Sequence, residues 1–248
     1  MSSVLPTKLK QDAIVEALLE LQFESDDVGE IVIGRLSDAE ALNTFTINRL
    51  PPSNIPESIR DNDPNLRFQP IVERRAPDGL SAARIGGHVF SYHAYTPYPG
   101  WSTFEPKLIS IVKTLFAKLS NVRVTRLGFR YINFLRSSLH AVNNLGEIDL
   151  KIELKSNPLT ENINIGFLTI ASGEHHIMTR IASPNFVESS SKPADMVGAI
   201  DVDVFTPHGF SVDNFDDTAE WIGKAHLFEK QAFFNLFTQE QISELTEE

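Results

Sequence analysis

Apolar and polar residues alternate most clearly along Val122-Arg-Val-Thr-Arg-Leu-Gly-Phe-Arg-Tyr-Ile-Asn-Phe134. A period of two predicts a long strand, with Arg126, Gly128 and Arg130 on one face and Leu127, Phe129 and Tyr131 on the other. Residues 14–23 alternate in the same way: Val15, Ala17, Leu19, Leu21 and Phe23 oppose Glu16, Leu18, Glu20 and Gln22. Two hairpins are expected. Ser81–Ile85 and His88–Tyr92 flank Gly86-Gly87, and Ile163–Ala171 and Glu174–Ala182 flank Ser172-Gly173, dipeptides suited to tight turns. Ile148, Leu150, Ile152 and Leu154 alternate with charged residues, which predicts a half-exposed strand over 147–156. Another strand is expected over 198–206, with Ile200, Val202 and Val204 facing one way.

The spacing becomes helical in two long segments. The first is expected to begin near Ser102, with Glu105 completing a capping box and Pro106 in the first turn. Its stripe is Phe104, Leu108, Ile111, Leu115 and Leu119, widened by Val112 and Phe116. The second spans about 215–237, with Trp221, Ala225, Phe228 and Ala232 as its stripe and Phe233 and Leu236 beside it. A short helix within 28–42, a helical turn at 56–61 and a terminal helix capped by Thr238 complete the set. The Ser-rich stretch 183–196 reads as an exposed loop. The sum is an α+β fold, mostly antiparallel sheet, covered on one face by two long helices. Strands, a hairpin and a long helix occur twice in that order. Residues 1–248 therefore read as one domain, with similar halves at 1–121 and 122–248.

Composition narrows the chemistry. Apolar content of 42% and charged content of 22% are those of an ordinary globular protein. The absence of cysteine removes disulfides, thiol catalysis and thiolate metal sites, and suits a reducing cytoplasm. No apolar run approaches the roughly 20 residues that span a bilayer. Lys8 and Lys10 run straight into Gln11 and Asp12, unlike a secretory signal. A cytoplasmic protein that does not enter membranes is expected. The net charge of −11 is uneven: residues 1–137 hold 16 Lys/Arg and 15 Asp/Glu, and residues 138–248 hold 6 and 18. A generic nucleic-acid binder would carry a basic stripe instead. The acidic half suits a protein partner or self-association, with Asp216, Asp217 and Glu220 as the candidate docking residues.

No nucleophile elbow, phosphate loop, dinucleotide fingerprint or zinc-protease motif is present, and no catalytic residue, cofactor or metal is assigned. The adjacent His175 and His176 point to opposite faces of a strand, so they cannot share a metal. Asp149, Lys151, Glu153 and Lys155 are the polar alternates of an amphipathic strand. Asp201 and Asp203 share a face but lack a partner set. Tyr95, Tyr98 and Trp101 sit in an aromatic run before the first long helix, where they staple the helix start to the sheet or line a groove that stacks a ring. Glu16 and Glu20 have the same spacing as Arg126 and Arg130, so neighbouring strands would pair them internally. The competing expectation is an anion site at Arg126 and Arg130, with Gly128 allowing close approach and Tyr98 or Trp101 stacking a base.

Several segments together resemble a known family: Ile14-Val-Glu-Ala-Leu-Leu-Glu-Leu-Gln-Phe23, Asp63-Pro-Asn-Leu-Arg-Phe-Gln-Pro70, Tyr98-Pro-Gly-Trp101, Val124-Thr-Arg-Leu-Gly-Phe-Arg-Tyr-Ile-Asn133 and Asp201-Val-Asp-Val-Phe205 before a Trp-containing helix. The family is a sporadically distributed bacterial one of similar length whose members are uncharacterised. The resemblance implies a single unit and genes carried on mobile or defence-associated islands. The leading expectation is a non-catalytic binding or regulatory module in a bacterial defence or toxin-neutralising system. The alternatives are an enzyme or sensor acting on a phosphorylated small molecule or nucleotide through Arg126 and Arg130, and a structural homo-oligomer.

Overall fold

The computed structural model describes residues 5, 6, 8–189 and 192–246. The elements in chain order are β1 (Ile14–Glu24), α1 (Gly29–Ser37), β2 (Thr46–Arg49), α2 (Glu57–Arg60), β3 (Val72–Arg75), β4 (Ser81–Ile85), β5 (Val89–Tyr95) and α3 (Trp101–Lys118). There follow β6 (Arg123–Arg136), β7 (Glu153–Leu154), β8 (Asn157–Pro158), β9 (Asn164–Ser172), β10 (His175–Ala182), β11 (Met196–Phe205), α4 (Phe215–Phe234) and α5 (Gln239–Leu245). Nine strands form one antiparallel sheet in the order β2-β3-β4-β5-β1-β6-β11-β10-β9. Strands β1 and β6 pair at its centre, and each is followed outward by a meander from its own half of the chain.

The central register shows why the alternation matters. Ala17 lies opposite Tyr131 and Tyr131 opposite Val202; Leu19 lies opposite Phe129 and Phe129 opposite Val204. All six are buried, and they form the face on which the helices pack. Helix α3 contributes Phe104, Leu108, Ile111, Val112 and Leu115, and α4 contributes Trp221, Ile222, Ala225 and Phe233. Each such side chain contributes roughly 1.5–3 kcal/mol by leaving water. Helix α5 carries the expected Thr238 cap, here as a full capping box, Thr238 accepting from the Gln241 N–H while Gln241 accepts from the Thr238 N–H. Its end bridges back to Leu9, which fixes the segment leading into β1.

Local expectations fail where short-range chemistry overrides periodicity. The segment 147–156 is not a strand: Ile148 reaches the core, but Leu154 is 64% exposed. Only the β7–β8 ribbon forms there, closed by Lys155 and Ser156 at positive φ. Helix α3 starts at Trp101 with Gly100 as its N-cap, so Ser102 and Glu105 form no box and Pro106 lies inside the helix. The first hairpin turns through Gly86-Gly87-His88 and the second through Gly173-Glu174, one residue later than the sequence suggests. Strands β2 and β3 had no alternation to announce them, since β2 is exposed throughout and β3 reads Val-Glu-Arg-Arg. The stretch 183–196 contains a single-turn helix at Pro184–Phe186, and residues 190 and 191 lie outside the described residues.

The opposite face of the central strands is charged. Arg126 donates from Nη1 to Glu20 Oε1 at 2.9 Å, and Arg130 grips Asp201 through two bonds of 2.7 and 2.6 Å. Both pairs run diagonally, because Arg126 lies opposite Gln22 and Arg130 opposite Leu18 and Asp203. The Arg126–Glu20 pair follows the equal-spacing argument. Glu16 differs from it: the Glu16 carboxylate meets His93 Nδ1 at 2.7 Å, and Asp201 takes its place at Arg130. Gly128 lets the Arg126 guanidinium lie close over the strand, since a Cβ there would lie 3.2 Å from Arg126 Nη1. Replacing Arg130 by Met should lower urea-unfolding stability by roughly 1–3 kcal/mol, at the low end because the guanidinium is partly solvated. The double change Arg130→Met with Asp201→Leu should recover part of that loss. An unchanged midpoint in Arg130→Met would remove the pair from any structural role.

Candidate functional site

A cavity of about 580 Å3 lies between the start of α3, the second half of α4 and the sheet end where β1 begins. Its lining includes Asp12 and Ile14 from the lead-in to β1, Tyr98 to Ser102 at the start of α3, Tyr131 and Asn133 from β6, and His226, Glu229, Lys230, Phe233 and Phe234 from α4. Strand alternation delivers Tyr131 to this side. Helical spacing delivers the α4 residues, since positions 226, 229 and 233 fall on one face.

The aromatic groups are locked together. Tyr98 and Tyr131 share a hydroxyl–hydroxyl hydrogen bond of 2.7 Å with their rings edge to face. Trp101 stacks on His226 at 3.9 Å between centroids and stands edge-on to Phe104 and Phe129. Tyr98 and Trp101 therefore both staple the helix and form a wall of the cavity.

Glu229 breaks the pattern. It stands on the buried stripe of α4, four residues from both Ala225 and Phe233, with 5% of its surface exposed. Its carboxyl has no hydrogen-bond or ion-pair partner among the described residues. Burial pushes its pKa up to about 8, with the Lys230 ammonium pulling weakly the other way. At neutral pH it is mainly a neutral acid able to donate and accept. Burial, reinforced by Lys230, pushes His226 down to about 4, and its Nδ1 is buried without a partner. Burial also raises both phenols well above the ordinary tyrosine range, and the nearby Glu229 charge adds to this. A ring-walled cavity with unsatisfied polar groups facing it has the build of a small-molecule site.

The other flagged residues lie elsewhere. Arg126 and Arg130 project from the face of β6 opposite to Tyr131, so they do not join Tyr98 and Trp101 around one ligand. Both are held by carboxylates. Asp216 and Asp217 occupy the exposed first turn of α4, where acids complement the helix dipole. The Asp217 N–H donates to the Asn214 side chain at 2.9 Å, and Glu220 pairs with Lys224 at 2.6 Å. Asp217 and Glu220 also border a smaller hollow of about 270 Å3 beside His175 and Trp221.

One array had no signature in the sequence. Ser91 Oγ lies 2.9 Å from His93 Nε2, and His93 Nδ1 lies 2.7 Å from Glu16. That is the order of a nucleophilic triad. Ser91 and His93 are nevertheless buried in β5, between β1 and β4, whose ladders use the backbone amides that would have to stabilise an oxyanion. The array ties β5 to β1. Burial alone would raise the Glu16 pKa, but the His93 hydrogen bond and the nearby His93, Arg84 and Arg130 charges outweigh it and hold the carboxyl low.

Fold and site together define an α+β protein with a nine-stranded antiparallel sheet and a largely apolar, aromatic-walled cavity under its helices. Neither a scan against protein-family models nor a search of curated proteins returns a match. Among the described residues, no group of three or more His, Asp or Glu is placed to hold a metal ion, and no helix is long and apolar enough to cross a membrane.

Glu229 has a pH signature with a definite sign. Its pKa rises from the ordinary 4.5 to about 8 on folding, so the folded state holds a proton that the unfolded state releases in that window. Stability should therefore fall as pH climbs through the window. His226 acts the opposite way, costing stability as pH falls from 6.5 towards 4. The variant Glu229→Gln should gain on the wild type as pH rises from 5 to 8.5, by roughly 4 kcal/mol in denaturant unfolding. A constant difference across that range would mean the carboxyl is ionised in the fold.

Proposed function

We propose that this chain is a binding or regulatory module that takes up a small organic ligand in the cavity between α3 and α4. One observation carries the reading: Glu229 stands on the cavity wall, 5% exposed and with no hydrogen-bond or ion-pair partner among the described residues, at a position where α4 would be more stable with an apolar residue. Its carboxyl reaches the cavity rather than a protein partner, and burial makes its charged form costly. A ligand that bonds to it recovers that cost, and Tyr98, Trp101 and Tyr131 supply flat apolar surface around the contact.

Ligand occupancy would be conveyed along α4, whose second half lines the cavity and whose exposed first turn carries Asp216 and Asp217. That acidic turn is the proposed contact for a protein partner, in keeping with a defence or toxin-neutralising role.

The test is a thermal-shift screen of one- and two-ring compounds covering cations, anions, zwitterions and neutral molecules. Compounds that raise the Tm of the wild type should lose roughly tenfold or more in affinity against Trp101→Ala, checked for folding by circular dichroism, and against Tyr98→Phe to a lesser extent. Shifts that persist unchanged in Trp101→Ala, or a screen in which no class of compound shifts the Tm, would overturn the proposal.

A further inference from the structure

The cavity carries both signs of charge. Glu229 contributes a buried carboxyl to the lining, and Asp12 a second, exposed one that accepts the Ile14 N–H at 3.0 Å. Lys230 and Lys8 stand on the same lining, the first half-buried and the second exposed. The start of α3 lies there as well. Its N-cap is Gly100, which has no side chain to accept from the first-turn amides, and Trp101 and Ser102 line the cavity directly. An uncapped helix start and an ammonium favour an anion. A buried carboxyl without a partner favours a hydrogen-bond donor, best a charged one. A ligand with only one charge leaves one of these sets unanswered.

Resting on the cavity being a ligand site, the geometry points to a zwitterion of the amino-acid type as its occupant, with an aromatic or other flat apolar body. The ligand's ammonium meets Glu229, its carboxylate meets Lys230 and the first turn of α3, and its body lies against Tyr98 and Trp101. The phenols of Tyr98 and Tyr131 and the His226 imidazole are the remaining titratable groups around Glu229, and all three are neutral at physiological pH. Asp12 is the other carboxyl on the lining and acts on both phenols; Glu229 is the buried one of the two, so the ammonium is assigned to it. Binding would draw the proton off Glu229 into solvent, so affinity would rise with pH between 6 and 8.

The experiment compares phenylalanine, phenethylamine and 3-phenylpropionate, which share a body and differ in charge, by titration calorimetry at pH 7 and 8. Phenylalanine should bind roughly tenfold more tightly than either analogue, equivalent to one extra charge-assisted contact. The variant Glu229→Gln should weaken phenylalanine and phenethylamine but leave 3-phenylpropionate unchanged. Lys230→Met should weaken phenylalanine and 3-phenylpropionate but leave phenethylamine unchanged. An analogue with one charge that equals phenylalanine, or equal losses of all three compounds in both variants, overturns the zwitterion assignment. If none of the three binds while other ring compounds still depend on Trp101, the assignment falls and the cavity reading stands; if nothing depends on Trp101, both fall.

Discussion

Strand β6 has two faces and must satisfy both at the centre of the sheet. It is paired on each side, by β1 and β11, so neither face can turn away from its neighbours. One face sends Leu127, Phe129 and Tyr131 under the helices. The other must then carry Arg126 and Arg130, and the carboxylates of Glu20 and Asp201 hold them there. A slip of one residue would place guanidiniums in the core and aromatics in water. The diagonal ion pairs and the apolar layer thus specify the same register from opposite sides.

The cavity follows from that register. Tyr131 reaches it because of its parity on β6, and its hydroxyl holds Tyr98 at 2.7 Å, which orients the start of α3. Trp101 then stacks on His226 and brings α4 into place. Within this arrangement Glu229 conflicts with its surroundings. Folded proteins break local rules chiefly where function requires it. On the opposite face Arg126, Arg130, Glu20 and Asp201 are paired within hydrogen-bonding distance, and Asp203, whose pKa burial also raises, lies opposite Arg130 with the charges of Arg126 and Arg130 drawing it back down. Glu229 differs from Asp203 in standing on a cavity wall with no arginine acting on it.

Much of the sheet was legible in the sequence because burial on one face leaves a period of two. Strands β1, β6 and β11 carry that signal, and both long helices carry its 3.6-residue counterpart. Strands β2 and β3 do not, since they lie towards one edge and offer few apolar alternates. The segment 147–156 carries the signal but folds otherwise, because tight-turn geometry at Lys155 and Ser156 prevails. Tyr98 and Trp101 were visible as an aromatic cluster. Glu229 was the informative residue and was missed. Drawing the α4 stripe through Ala225, Phe228 and Ala232 put it just off the buried line, whereas the buried line runs through Ala225, Glu229 and Phe233. An acid four residues from apolar neighbours on both sides was the available clue. The partners of Glu16 and Arg130 were not legible, because equal spacing on two strands does not reveal which diagonal a side chain takes.

The account depends most on Glu229 being an uncharged, unpaired acid inside the fold. Carbon-13 NMR titration of the glutamate side-chain carboxyls, with Glu229→Gln to assign the resonance, observes that state directly. The account requires one carboxyl that titrates near 8 in the unliganded protein and is missing from the variant. If every glutamate titrates below about 5, the range of solvated carboxyls, the carboxyl is ionised and satisfied, and the cavity loses its defining feature.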